Sequence, residues 1–305
     1  MSLKLIILQK TYYIKLNRVI GVSKMNKNIL LFDGAMCTML LKNGIKNNES
    51  CEIFGFNNKE IVLDIHKSYL EAGCDIITTN TLLANRFYLK DTGYSVEEII
   101  KNSINIAKEA IKGYENKFIA LDVGPIPMIE NNLSYDETYE IFKEVAILGE
   151  KYGVDFIYLE TMMEIKQVKI AVKACRENTN LPIFCSMPFY EQKAVDENSI
   201  EKIIDEINKL DIEAFGVNCS FLNEGLDVVV EKILRLSNKK VIVMPNAGRP
   251  INIGDDLSNL VYENDEDEFF RYVKKYIDLG VDFVGGCCGT TPLYIKKISD
   301  YIKNN

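Results

Sequence analysis

The sequence predicts an α/β chain folded as a TIM (β/α)8 barrel, and three observations predict it. First, eight short apolar, β-branched runs recur at 29–36, 75–80, 118–125, 155–161, 183–189, 214–220, 241–248 and 282–289. Near-continuous apolar strands are what a sheet buried on both faces requires. Second, an amphipathic stretch follows each run, near 60–72, 96–114, 135–151, 164–177, 198–209, 224–236, 265–279 and 292–303. Third, three junctions share one local logic: Ala72-Gly73-Cys74-Asp75, Tyr152-Gly153-Val154-Asp155 and Leu279-Gly280-Val281-Asp282. In each, a helix ends at a glycine, where the left-handed cap carries no Cβ penalty, and an Asp opens the next strand. Eight units at a pitch of roughly 40 residues fill a TIM barrel. A doubly wound open sheet is the competing architecture. No G-x-G-x-x-G follows the first run to support a dinucleotide-binding version of it.

The 305 residues suit one such barrel over 26–305, preceded by an N-terminal extension at 1–25. The extension carries Lys4, Lys10, Lys15, Arg18 and Lys24 and no acid, and Met25 is a plausible natural start. Its apolar stretch Leu5-Ile6-Ile7-Leu8 falls short of a signal-peptide core of about 7–15 residues. With 36 basic and 44 acidic residues the net charge is −8, which argues against nucleic acid or an anionic membrane as partner. No apolar run approaches the roughly 18 residues of a membrane span. A cytoplasmic location is therefore expected, with the eight cysteines free or metal-bound rather than disulfide-bonded.

A single histidine, His66, excludes any site with two histidine ligands. It lies mid-helix and reads as structural or surface. Functional residues of a TIM barrel sit at the C-terminal ends of strands. There the runs deliver Asp33-Gly34-Ala35-Met36, Thr79-Asn80-Thr81, Glu160-Thr161, Asn218-Cys219, Pro245-Asn246-Ala247-Gly248 and Gly285-Gly286-Cys287-Cys288-Gly289. Cys219, Cys287 and Cys288 thus converge on one rim. Three thiolates at about 2.3 Å bind Zn²⁺ and leave a fourth tetrahedral position open, and soft sulfur favours zinc over magnesium or calcium. Three other readings compete: buried small hydrophobes, a Cys287–Cys288 vicinal disulfide, and a redox barrel using that pair as a dithiol. A phosphate site at Gly285-Gly286 is also conceivable. The remaining cysteines, Cys37, Cys51, Cys74, Cys175 and Cys185, read as buried apolar groups, with Cys37 nearest the mouth. Asp33 and Glu160 could pair with a base or hold a substrate ammonium. The acids of Glu263–Glu268 suit a helix N-terminus.

Read together, these residues resemble the homocysteine S-methyltransferase family. Asp33-Gly34-Ala35-Met36 is similar to its D-G-A/G-M-G-T opening. His66-Lys67-Ser68-Tyr69-Leu70-Glu71-Ala72-Gly73 and Thr79-Asn80-Thr81 resemble its H-x-x-Y-x-x-A-G…T-N-T segment. Gly124-Pro125, Glu160-Thr161 and Gly216-Val217-Asn218-Cys219 match further landmarks, and Gly285 to Pro292 reads G-G-C-C-G-T-T-P without a change. The resemblance covers about residues 28–300. It implies Zn²⁺ on Cys219, Cys287 and Cys288, homocysteine as methyl acceptor, and methionine as product. It places the substrate ammonium on Asp33 and Glu160, and its carboxylate near Gly34 and Thr79, Asn80 and Thr81. Pro245-Asn246-Ala247-Gly248 resembles the homocysteine module of cobalamin-dependent methionine synthases. That implies methylcobalamin on a separate corrinoid protein as donor, and Asn246 as fourth zinc ligand when substrate is absent. The alternatives are an S-methylmethionine- or betaine-dependent enzyme, and a zinc-binding, non-catalytic corrinoid partner. Three departures stand out. Cys37 replaces the motif glycine, Leu82 stands where an aromatic is common, and Tyr190–Asp196 lacks the family's glycine-containing loop.

Overall fold

A computed structural model describes residues 29–46, 49–127, 133–251 and 260–304; the 1–25 extension lies outside them. Its strands are β1 (Leu30–Leu31), β2 (Ile76–Thr78), β3 (Phe118–Val123), β4 (Phe156–Leu159), β5 (Ile183–Met187), β6 (Phe189–Tyr190), β7 (Lys193–Ala194), β8 (Ala214–Asn218), β9 (Lys240–Met244) and β10 (Phe283–Val284). Its helices are α1 (Met36–Lys42), α2 (Cys51–Asn57), α3 (Lys59–Ala72), α4 (Val96–Ala110), α5 (Tyr135–Tyr152), α6 (Ile165–Asn178), α7 (Ile200–Asn208), α8 (Glu224–Leu236), α9 (Glu266–Asp278) and α10 (Pro292–Asn304). Eight strands form one parallel sheet in the order β1-β10-β9-β8-β5-β4-β3-β2. A parallel bridge from Phe32 to Ile76 joins β1 to β2 and closes the ring. The chain is a TIM barrel; seven of its eight strands fall within the apolar runs, and β9 starts one residue before its run, at Lys240.

Alternation along the strands explains why both faces are apolar. One set of side chains, including Phe32, Phe118, Phe156, Tyr158, Phe184 and Phe283, fills the barrel interior. Rings meet there at 4.4 Å between Phe156 and Phe184 and 4.8 Å between Phe184 and Phe283. The alternate set, such as Leu31, Ile77, Leu121, Ile157 and Val243, packs under the helices. Helix starts follow from local chemistry. Ser95–Glu98 and Ser134–Glu137 form reciprocal capping boxes. In the acidic cluster, Asp265 caps α9 through the N–H groups of Asp267 and Glu268.

The glycine–Asp junctions have a second purpose at the base of the barrel. Gly73, Gly153 and Gly280 adopt φ of 102°, 79° and 92°, as the left-handed cap requires. The Asp two residues on then accepts a backbone N–H from the neighbouring strand: Asp75 from Leu31 at 3.1 Å, Asp155 from Ile119 at 2.9 Å and Asp282 from Val241 at 2.9 Å. One tetrapeptide both ends a helix and sets the register of two strands.

Three elements depart from the expected pattern. Helices α1 and α2 occupy the connection between β1 and α3, where the sequence showed no helical period. The segment after β5 folds back as the antiparallel β6–β7 hairpin. His66 is structural and fully buried, not on the surface, and neither ring nitrogen has a partner among the described residues. Burial holds its pKa down from an ordinary 6.5 to about 4. The unfolded chain therefore binds a proton that the folded chain does not between those values. Stability should be full above pH 6.5 and fall as pH drops toward 4, with about 2 kcal/mol lost by pH 5. Urea unfolding of wild type and His66→Gln across pH 5–7 checks this: the wild-type profile should slope more steeply by that amount, and parallel profiles would contradict it.

Candidate active site

The C-terminal rim of the barrel gathers three sulfurs. Asn218 ends β8, and Cys219 turns with φ of +48°. A non-glycine residue there costs roughly 1–2 kcal/mol, so the turn is one that the surrounding structure must hold. Its N–H reaches the Met244 carbonyl at 3.3 Å. Cys287 and Cys288 leave β10 in a tight turn: Cys287 donates its N–H to Pro245 O at 2.9 Å, and Thr290 donates N–H and Oγ1 back to the Cys287 carbonyl. A Cβ on Gly286 would lie 2.4 Å from Thr290 Oγ1, so only glycine lets this turn close.

The result is a cluster whose sulfurs all lie within 4.8 Å of one another, with Cys219 and Cys288 at 3.9 Å. Three thiolates on a tetrahedral ion at about 2.3 Å stand about 3.8 Å apart, so the spacing fits zinc. Cys287 and Cys288 are free thiols, not a vicinal disulfide. The charge pattern agrees. Hydrogen bonds from Cys287 and Cys288 push the Cys219 thiol down to about 3, while Cys287 rises and Cys288 goes up to about 12. The thiolate is thus favoured at Cys219, and a dication would let the other two sulfurs ionise as well. The Asn246 side chain touches the cluster at Cys219, whose sulfur it bonds, and carries a buried Oδ1 without a partner among the described residues.

Beside the cluster opens a cavity of about 510 Å³. Asp33, Gly34, Thr79, Asn80 and Glu160 line it, as do the three cysteines; Thr81 and Asn246 do not. Thr81 Oγ1 instead bonds Thr79 Oγ1 at 2.6 Å and the Asp122 carbonyl at 2.7 Å, joining β2's end to β3. Asn80 Nδ2 donates to the Cys51 carbonyl at 2.8 Å, so it supports α2. Asp33 accepts the Thr78 N–H at 2.8 Å and its hydroxyl. Glu160 accepts Asn218 Nδ2 at 3.0 Å and faces the Cys287 sulfur at 3.8 Å. Asn218 also donates to Thr161 Oγ1 at 2.6 Å, which fixes Glu160 beside the sulfurs.

A third acid, Asp122, lines the same cavity and hydrogen-bonds Glu160. Burial raises the pKa of Asp33, Asp122 and Glu160. Among the described residues, no Lys, Arg or His lines the cavity. It is therefore built to take positive charge. Sequence reasoning passed over Asp122 although the signal was present: it is an acid inside the apolar run Phe118–Val123.

Cys37 and Cys51 correct the cysteine reading. They are joined as a disulfide, with Cα atoms 6.2 Å apart, and both line the cavity. Neither is a buried apolar group or a free thiol. The pairing depends on α1 and α2 starting side by side at the mouth, and neither helix has a periodicity that shows it. Cys74, Cys175 and Cys185 are buried and free, as expected.

The family model for homocysteine S-methyltransferases matches residues 30–302. The chain belongs to that family. The solved structures it resembles include the homocysteine methyltransferase MmuM from Escherichia coli. The metallated form superposes with a TM-score of 0.78 at 19% identity, covering 94% of this chain and 99% of that one. The oxidized form gives 0.79 at 18% over the same shares, and the apo form 0.72 at 19%, covering 93% of this chain and 99% of that one. These likenesses carry the shared barrel. None of the described helices is long and apolar enough to cross a membrane.

Protein purified under reducing, zinc-replete conditions should carry about one zinc per chain by plasma mass spectrometry. Cys219→Ser, Cys287→Ser and Cys288→Ser should each lower the retained zinc at least tenfold after dialysis against a mild chelator. Full retention in all three would contradict the site.

Proposed function

We propose that this protein transfers a methyl group to the thiol of homocysteine, giving methionine, with zinc held by Cys219, Cys287 and Cys288. The observation that carries this is the juxtaposition of three sulfurs within 4.8 Å with a cavity walled by buried acids. A thiol with a pKa near 8.5 is mostly protonated at neutral pH. Zinc on the three cysteines would supply thiolate formation at the open fourth position, the chemistry that makes the acceptor nucleophilic. The chain's own residues do the rest. Glu160 and Asp33 receive the acceptor's ammonium, Asn218 keeps Glu160 aimed at the cavity, and Asn246, whose side chain bonds the Cys219 sulfur, would complete the metal's ligand set in the absence of substrate. The acceptor sulfur attacks the donor methyl carbon in line, the donor–methyl bond breaks with its electron pair leaving on the demethylated donor, and the acceptor becomes a neutral thioether.

Two donor readings follow from different observations. Pro245-Asn246-Ala247-Gly248 supports methylcobalamin presented by a separate corrinoid protein. The charge of the cavity favours a small onium donor, a sulfonium such as S-methylmethionine or a quaternary ammonium such as betaine. Asp33, Glu49, Glu52, Asp122 and Glu160 line it without a facing base. Burial favours the neutral form of Asp33, Asp122 and Glu160; the acceptor's one ammonium would let some of them ionise, and a cationic donor would let more do so.

A screen of methylcobalamin, S-methylmethionine and betaine with zinc-loaded protein separates these readings by methionine formed. Stoichiometric zinc with no methionine from any donor would instead support a non-catalytic, corrinoid-partner protein. Glu160→Gln should raise the KM for homocysteine roughly 10- to 100-fold, the worth of one hydrogen bond to a charged group, with zinc content unchanged. An unaltered KM would remove Glu160 from substrate binding.

A further inference from the structure

Each of the two helices at the cavity mouth is one short element of seven residues, α1 and α2. Helices of that length are not stable alone and hold only through their contacts. Helix α1 supplies Thr38, whose Oγ1 accepts the Gly289 N–H at 3.1 Å, next to Cys288. Helix α2 supplies the Cys51 carbonyl that Asn80 bonds, and Glu52, whose carboxylate accepts the Leu83 N–H at 2.8 Å. One helix is thus fastened to the cysteine turn and the other to the far wall of the cavity. The Cys37–Cys51 bond spans the gap between them across 14 residues of sequence.

Reagents can reach this bond. Cys37 is exposed and Cys51 half-buried. Cys74, Cys175 and Cys185 are buried, and burial raises all three thiols, Cys175 to about 12. Thiol reactivity follows thiolate character and access. The three cluster sulfurs belong to the site already described. Cys37 and Cys51 are therefore the pair that a solution thiol meets first.

We propose that Cys37–Cys51 is a thiol–disulfide exchange site that latches the cavity mouth, with a dithiol as its reductant. A thiolate of the dithiol attacks the exposed Cys37 sulfur, the Cys37–Cys51 bond breaks, and Cys51 leaves as a thiolate that takes a proton. The second thiol of the reductant then loses its proton and attacks its own sulfur in the mixed disulfide. Cys37 is released as a thiol, and the reductant departs as its cyclic disulfide. Two electrons pass from reductant to protein, and an oxidised dithiol reverses the sequence. In the closed state α1 and α2 are one unit over the cavity. In the open state each keeps its own fastening and its packing, α1 on α3 and α2 on α3 and α4, but loses the covalent link between them, and the mouth widens.

The test uses the full chain as purified, after exposure to oxidised or to reduced dithiothreitol, with the reagent then removed. Iodoacetamide in denaturant should label six cysteines in the oxidised sample and eight in the reduced one, matching six free thiols and one disulfide. Hydrogen exchange followed by mass spectrometry should show amides of 36–57 exchanging at least tenfold faster in the reduced sample, with β3, β4 and β5 unchanged. Cys37→Ser and Cys51→Ser should reproduce the faster exchange without any reductant, and unchanged strands certify that they are folded. Eight labels in both samples would show that the bond does not form. Six and eight labels with equal exchange at 36–57 would show a bond that latches nothing. Either result overturns the proposal. Neither readout uses metal or methyl transfer, so failure of the methyltransferase reading leaves this test intact.

Discussion

The rest of the structure depends on a charge constraint: three cysteine sulfurs gathered within 4.8 Å cannot all ionise without a cation among them. Hydrogen bonds from Cys287 and Cys288 favour the thiolate at Cys219 and hold the other two thiols up. That arrangement is stable enough to build and incomplete enough to bind. The left-handed turn at Cys219, the glycines around Cys287 and Cys288, and the Thr290 bonds behind them all hold sulfur against sulfur. Asn246 bonds the Cys219 sulfur and carries an Oδ1 with no partner among the described residues. The neighbouring acids carry the same logic outward. They lie in low dielectric, without a base in the wall among the described residues, and a cationic ligand satisfies them best.

The barrel supplies rigidity for this. Its interior is filled by aromatic rings, and its base is tied by the Asp residues that cap neighbouring strands. The rim therefore stands on a packed core, not on loops, and side chains from β1, β4, β8 and β10 meet at fixed separation. Asn218 shows how the frame reaches the site. Its side chain spans from Glu160 and Thr161 to the Cys287 sulfur, so acid and sulfur are positioned by one amide.

Much of this was legible before any coordinates. Apolar runs buried on both faces gave all eight barrel strands, and the Gly-x-Asp junctions gave their pitch. The adjacent Cys287-Cys288 and the Asn218-Cys219 strand end identified the cluster, because barrel topology brings strand ends together whatever lies between them. Other features were not legible for physical reasons. Seven residues make less than two full helical turns, too few to show a period, so α1 and α2 were missed, and the Cys37–Cys51 bond with them. A T-N-T motif says which residues are present but not where their side chains point. Thr81 turned out to bridge strands and Asn80 to brace α2. Asp122 hid because its run reads as an ordinary buried strand.

X-ray absorption at the zinc edge, on the loaded protein with and without homocysteine, tests the central claim most directly. Without homocysteine the account predicts three sulfurs and one nitrogen or oxygen neighbour. With homocysteine it predicts four sulfurs at about 2.3 Å. A shell that keeps three sulfurs at saturating homocysteine, or one that never contains three, would contradict it.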